Sequence, residues 1–118
     1  MEHIKQTIEQ FIKGGDNNDP AFLEEILHEN YQNIQDGFFD KPGIFIIPKQ
    51  EYISFVRNKI FGGKPRHITF HSLEQKNNIA YAQVSLESSA LRFSSLITCV
   101  KENGKWQVIT NVPSIETK

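Results

Sequence analysis

The sequence predicts an α+β fold, with N-terminal helices packed on an antiparallel sheet supplied by the back half of the chain. Three observations predict it. In the front half, apolar residues mostly recur with helical spacing, broken by a short strand-like stretch at residues 31–35 and an apolar run within residues 38–48. From Arg66 onward they alternate with a period of two. The segments between the alternating runs are short: Lys76-Asn77-Asn78, Ser89-Ala90 and Glu102-Asn103-Gly104. Short links join antiparallel neighbours, so these strands form a meander. Helices grouped first and strands grouped last argue for α+β and against an alternating α/β order.

The first helix is read from Ile4, Ile8, Phe11 and Ile12, which share one face of a 3.6-residue period. Gly14-Gly15 is expected to end it, because glycine accepts a left-handed terminus. Asp19-Pro20 starts a short second helix: aspartate caps orphan amides and proline fits the first helical position. Phe22, Leu23, Ile26 and Leu27 form its apolar side. Residues 31–35 read as a short strand, diluted by Asn30, Gln32 and Asn33, and Asp36-Gly37 marks a turn. The apolar run within residues 38–48 reads as a short strand or as a packed loop. Tyr52, Phe55, Val56 and Ile60 predict a third helix over residues 49–60, ended by Gly62-Gly63. Four strands follow over residues 66–75, 79–88, 91–101 and 105–112, and Asn103-Gly104 is a hairpin signal.

The size suits one domain spanning residues 1–118. With 13 basic and 14 acidic residues the net charge is -1, which argues against nucleic acid as a partner. No apolar run approaches the roughly 20 residues that cross a bilayer, so no membrane partner is expected. The polar start Met1-Glu2-His3 does not resemble a signal peptide, and a cytoplasmic location is the expectation. Cys99 stands alone in an apolar stretch, which excludes an internal disulfide and reads as a buried, inert thiol.

Both faces of the predicted sheet carry apolar residues. Ala80, Ala82, Val84 and Leu86 form one stripe, Phe93, Ile97 and Cys99 the next, and Trp106, Val108 and Val112 the last. Ile79, Tyr81, Leu96, Val100 and Ile109 fall on the opposite face. Helices cover one face. A second subunit is the simplest cover for the other, so a homodimer through the outer face is expected.

Certain residues also carry a resemblance. They are Phe11-Ile12-Lys13-Gly14-Gly15-Asp16, Asp19, Leu23, Leu27-His28, Tyr31, Asp36-Gly37, Pro48, Glu51-Tyr52-Ile53, Ala80-Tyr81-Ala82, Phe93 and Gly104-Lys105-Trp106. In order and spacing the chain resembles the nuclear transport factor two-like superfamily, which includes ketosteroid isomerase and polyketide cyclases. Within it, the chain is most similar to a group of small bacterial proteins described as "putative lumazine-binding". The resemblance implies a cystatin-like cone, in which a curved sheet wraps a pocket closed by the helices. It does not fix a chemistry, because the fold hosts isomerases, dehydratases, cyclases, binding proteins and accessory domains. The chain has Ser95-Leu96 and Thr110-Asn111 where relatives carry other polar pairs.

Candidate ligand contacts follow from that pocket. Tyr31 and Tyr52 belong to elements expected to border its mouth; Phe55, Phe93 and Trp106 supply aromatic lining; Ser95 and Thr110, with Arg92, are candidate polar anchors. His67 and His71 lie four residues apart on a strand, about 13 Å in extended chain, too far to share one metal ion. No metal site, cofactor or catalytic residue is assigned. Asp36 and Glu74 sit at turns and read as solvated carboxylates. The expected function is binding of a small apolar or aromatic molecule. The alternatives are a cofactor-free isomerase, dehydratase or cyclase using a pocket carboxylate or histidine, and a protein-interaction or accessory domain.

Overall fold

Helix α1 (Glu2–Asp16) buries Ile4, Ile8, Phe11 and Ile12, the stripe its spacing sets. The computed structural model describes residues 2–118, so Met1 of the polar start lies outside them. Gly14 and Gly15 do not end α1; both are buried within it. The reason is close packing. A Cβ on Gly14 would lie 2.8 Å from Leu23 Cδ2 of helix α2 (Pro20–Ile26), so the helices approach where no side chain intervenes. As expected, Pro20 opens α2 and the Asp19 side chain accepts from the Phe22 N–H at 3.1 Å.

The front half contributes two strands, β1 (Leu27–Phe38) and β2 (Lys41–Pro48), before helix α3 (Lys49–Arg57). The run with two readings is therefore a strand, and α3 stops short of residue 60. Strands β3 (His67–Lys76), β4 (Ile79–Glu87), β5 (Leu91–Glu102) and β6 (Lys105–Thr117) complete one six-stranded sheet in the order β2-β1-β6-β5-β4-β3. The meander β3 to β6 is antiparallel throughout. The junction of the two halves is not: β1 lies parallel to β6, with Asn33 opposite Asn111. The sheet is thus mixed, because β1 enters beside the last strand by way of the helices and not through a hairpin.

The inner face packs against the helices through Ala80, Ala82, Val84, Leu86, Ile97, Cys99 and Val108, all at most 1% exposed. Each fully buried Leu, Ile or Val side chain contributes roughly 1.5–3 kcal/mol of transfer free energy. A bulge interrupts β6: Thr98 pairs with Thr110 and Cys99 with Val108, so Ile109 has no partner on β5. Side chains alternate with a period of two, so one extra residue exchanges the faces. Asn111 therefore points inward and Val112, expected on the inner stripe, points out and is 40% exposed. With Ile46, Tyr81 and Leu96, Val112 gives the outer face an exposed apolar character.

Candidate functional site

A cavity of about 660 Å³ opens between the helices and the sheet. Phe11 and Ile12 of α1 and Tyr52 and Val56 of α3 form its helical wall. Leu86, Phe93 and Ser95 form its sheet wall, with Asn33, Gln35 and Asn111 beside them. Phe39, at the β1–β2 turn, and Ile60, Phe61, Lys64 and Arg66, after α3, frame the mouth. The segment after α3 is held to α1. Asn18 Nδ2 donates to the Val56 and Phe61 carbonyls at 2.9 and 3.0 Å, and the Gly63 N–H donates to the Gly15 carbonyl at 3.2 Å.

The polar part of the wall is a line of amides. Gln35 Nε2 donates to the Gly37 carbonyl at 2.9 Å, Asn33 Nδ2 to Gln35 Oε1 at 2.6 Å, and Asn111 Nδ2 to Asn33 Oδ1 at 3.0 Å. A carbonyl only accepts, so Gly37 fixes the direction of the whole line. Among the described residues Asn111 Oδ1 is left at its end, sealed and unpaired, as is the Tyr31 hydroxyl. Burial, and then the neighbouring Tyr52, hold the Tyr31 phenol well above its ordinary pKa. Burial also raises that of Tyr52, against the opposing pull of the Arg66 charge. Both phenols are therefore neutral across the physiological range.

Among the described residues, Arg66 carries the one charge in the wall that is mostly withdrawn from water. Its Nε donates to Asp16 Oδ1 at 2.6 Å, and its backbone N–H donates to Asp16 Oδ2 at 3.1 Å. The guanidinium lies 4.8 Å from the Phe93 ring centroid. The two charged side chains are 14% and 8% exposed. Pairing and the cation–ring contact offset much of the cost of burying them.

Of the residues expected to meet a ligand, Tyr52, Phe93 and Ser95 line the cavity. The other four do not. Tyr31 is 1% exposed and sits behind Tyr52 and Phe11, with ring centroids at 5.1 and 5.9 Å. Phe55 turns into a ring cluster with Phe38 and Phe61, at 5.4 and 5.2 Å. Thr110 lies on the outer face because of the Ile109 bulge. Trp106 packs on the core opposite Lys101, at the end of β6 remote from the cavity-lining residues Asn111, Pro113, Ile115 and Thr117. Arg92 is exposed and pairs with Glu87 at 3.5 Å. His67 and His71 are exposed, and His71 Nε2 lies 2.6 Å from Ser85 Oγ. Asp36 and Asp40 line the rim and are exposed.

Sequence reasoning missed Asn33, Gln35, Asn111, Phe61 and Arg66. A signal existed for two of them. Once Tyr31 is read as inward, the period of two turns Asn33 and Gln35 inward as well. Asn111 had no such signal, since an alternation carried along β6 assigns it to the outer face.

A curved sheet wrapped on three helices around an interior cavity defines the nuclear transport factor two-like class. Its solved structures agree. One such protein of unknown function from Silicibacter pomeroyi superposes with a TM-score of 0.83 at 15% identity, covering 98% of this chain and 94% of its own. Another from Shewanella baltica gives 0.83 at 17%, covering 99% and 94%. An uncharacterised protein with a cystatin-like fold from Caulobacter vibrioides gives 0.72 at 14%, covering 98% and 88%. At these identities the likeness speaks for fold alone. A family model described as "Putative lumazine-binding" matches residues 1–112, and the chain belongs to that family. No curated protein matches it.

Proposed function

We propose that the protein binds a small, planar, mainly apolar molecule in the cone cavity, with Tyr52, Phe93 and Ser95 among its contacts. The observation that carries this reading is the cavity itself. About 660 Å³ is in the range of small-molecule sites, and apolar walls with a few convergent polar groups are their usual make-up. The family description names a pteridine dione as the first ligand class to try. An isomerase, dehydratase or cyclase would need an acid or base withdrawn from water beside the bound molecule. The carboxylates that line this cavity, Asp36 and Asp40, are exposed at its rim, which favours binding over proton transfer.

The test is a thermal-shift series with lumazine on the wild-type protein and on Ser95→Phe, which places a ring in the cavity. A ligand at about 100 times its Kd stabilises the folded state by about 2.7 kcal/mol. The expected result is a raised midpoint for the wild type and none for the variant. Equal shifts in both proteins would remove the cavity as the site.

The outer face supports a second, compatible reading: a homodimer through β4, β5 and β6. Tyr81, Leu96 and Val112 are 38%, 41% and 40% exposed and lie on adjacent strands, with Leu96 directly opposite Val112. Leu96→Lys is expected to convert a dimer to a monomer in sedimentation equilibrium. A wild-type monomer at high protein concentration would contradict this reading.

A further inference from the structure

We infer that Arg66 is the recognition residue of the cavity, and that it selects a planar ligand bearing an uncharged ring carbonyl. This rests on the cavity-binding reading and gives it a chemistry. A guanidinium has five N–H donors. Among the described residues only the Nε donor meets an acceptor, Asp16 Oδ1 at 2.6 Å. The two terminal nitrogens carry the other four donors. They belong to a side chain that lines the cavity and is only 14% exposed. Donors left without a protein acceptor, on a mostly buried side chain that faces a cavity, are a recognition element for an acceptor that arrives with a ligand.

Two features keep that fork in place and open. The guanidinium carbon lies over the Phe93 ring, 4.8 Å from its centroid, and this cation–ring contact holds the head group against the sheet wall. At Gly15 a Cβ would lie 3.5 Å from Nη2, in van der Waals contact, so any other residue there would cover that edge. A guanidinium is planar, so a flat ligand lying in its plane would meet both Nη atoms edge-on.

Charge bookkeeping decides the kind of acceptor. Asp16 already balances Arg66, and its carboxylate is 8% exposed. A carboxylate ligand would add a second anion to a withdrawn pair and stand largely uncompensated, which is costly. Lys64, the other cation of the mouth, is exposed and stays hydrated. A ring carbonyl accepts the same hydrogen bonds without adding charge.

The experiment compares three planar bicycles by titration calorimetry: lumazine, which has ring carbonyls; quinoxaline, which has none; and 2-naphthoate, which has a carboxylate. Each is titrated into the wild type and into Asp16→Asn/Arg66→Met. The double variant removes both charges together, so no buried ion is orphaned, and methionine keeps a contact on Phe93. Lumazine is expected to lose about tenfold or more in affinity in the double variant, with quinoxaline unchanged. Equal lumazine affinity in both proteins would overturn the role of Arg66 while leaving the cavity site standing. Tighter wild-type binding of 2-naphthoate than of lumazine would overturn the carbonyl assignment. Binding of no bicycle to the wild type would overturn the cavity reading, and this inference with it. Should the variant fail to fold, nitrogen-15 spectra of the wild-type arginine side chains give the same answer. Lumazine must then shift the Arg66 guanidinium and leave those of Arg57 and Arg92 in place; an unmoved Arg66 overturns the inference.

Discussion

Phe39 shows how a single residue carries local strain at the cavity mouth. It follows Phe38, the last residue of β1, and adopts φ 55°, a region that glycine and asparagine enter readily and a bulky side chain does not. The β3–β4 and β5–β6 turns place Asn77, and Asn103 with Gly104, at positive φ. Phe39 is 72% exposed, so burial repays little of the strain. Phe39→Asn is expected to raise stability by about 0.5–1 kcal/mol, read as a higher urea midpoint at unchanged slope. A lower midpoint would show that the edge-on contact with Phe38, at 4.8 Å, outweighs the strain. Tyr31 makes the complementary case. Its hydroxyl is buried beside Tyr52 and Asn111 but has no hydrogen-bond partner of good geometry among the described residues, so Tyr31→Phe removes a poorly paired polar group and keeps the ring. That substitution is expected to be neutral or to stabilise by up to about 1 kcal/mol, whereas a bonded hydroxyl would cost about that amount on removal. Chemical denaturation separates the two outcomes.

Among the elements, the segment between α3 and β3 gains its position by docking on the end of α1. Gly62 has φ 78°, and a Cβ there would lie 2.0 Å from the Gly15 carbonyl oxygen, a backbone atom that cannot swing aside. Gly62→Ala is expected to cost about 3 kcal/mol or more, from strain and overpacking together. A loss below about 1 kcal/mol would mean that this docking does not hold the mouth. The element scale also shows what the sequence could reveal. Helix α1, the start of α2 and the meander β3 to β6 were legible because each is governed by local periodicity and local caps. Gly14-Gly15 was misread because a glycine pair signals a terminus in isolation and a close helix contact in the folded chain. The parallel pairing of β1 with β6 and the bulge at Ile109 depend on partners distant in sequence. That bulge exchanged Thr110 for Asn111 in the cavity wall. Arg66 was hidden for the same reason: its partner Asp16 is fixed by the fold and by no motif.

For the whole molecule, the core predicts a pH dependence. Burial pushes the Cys99 thiol up to about 12 and raises the Tyr31 and Tyr52 phenols as well. Each is neutral when protonated and has a folded pKa above its unfolded value. Their contribution is therefore fully present below the unfolded values, near 9 for the thiol and 10 for the phenols, and is lost as the pH rises above them. Urea unfolding is expected to show stability falling from pH 8.5 to 11, with a shallower fall in Cys99→Val. An identical slope in that variant would remove the thiol from the cause.

The same fold offers two surfaces, an interior cavity and an apolar outer face, and a small molecule is expected to bind in the cavity. A nitrogen-15 amide titration of the full chain with lumazine tests it directly. Saturable shifts are expected at Tyr52, Phe93, Ser95, Asn111 and Arg66, which surround the cavity. Shifts confined to Tyr81, Leu96, Thr110 and Val112 on the outer face, or no shifts at all, would contradict it.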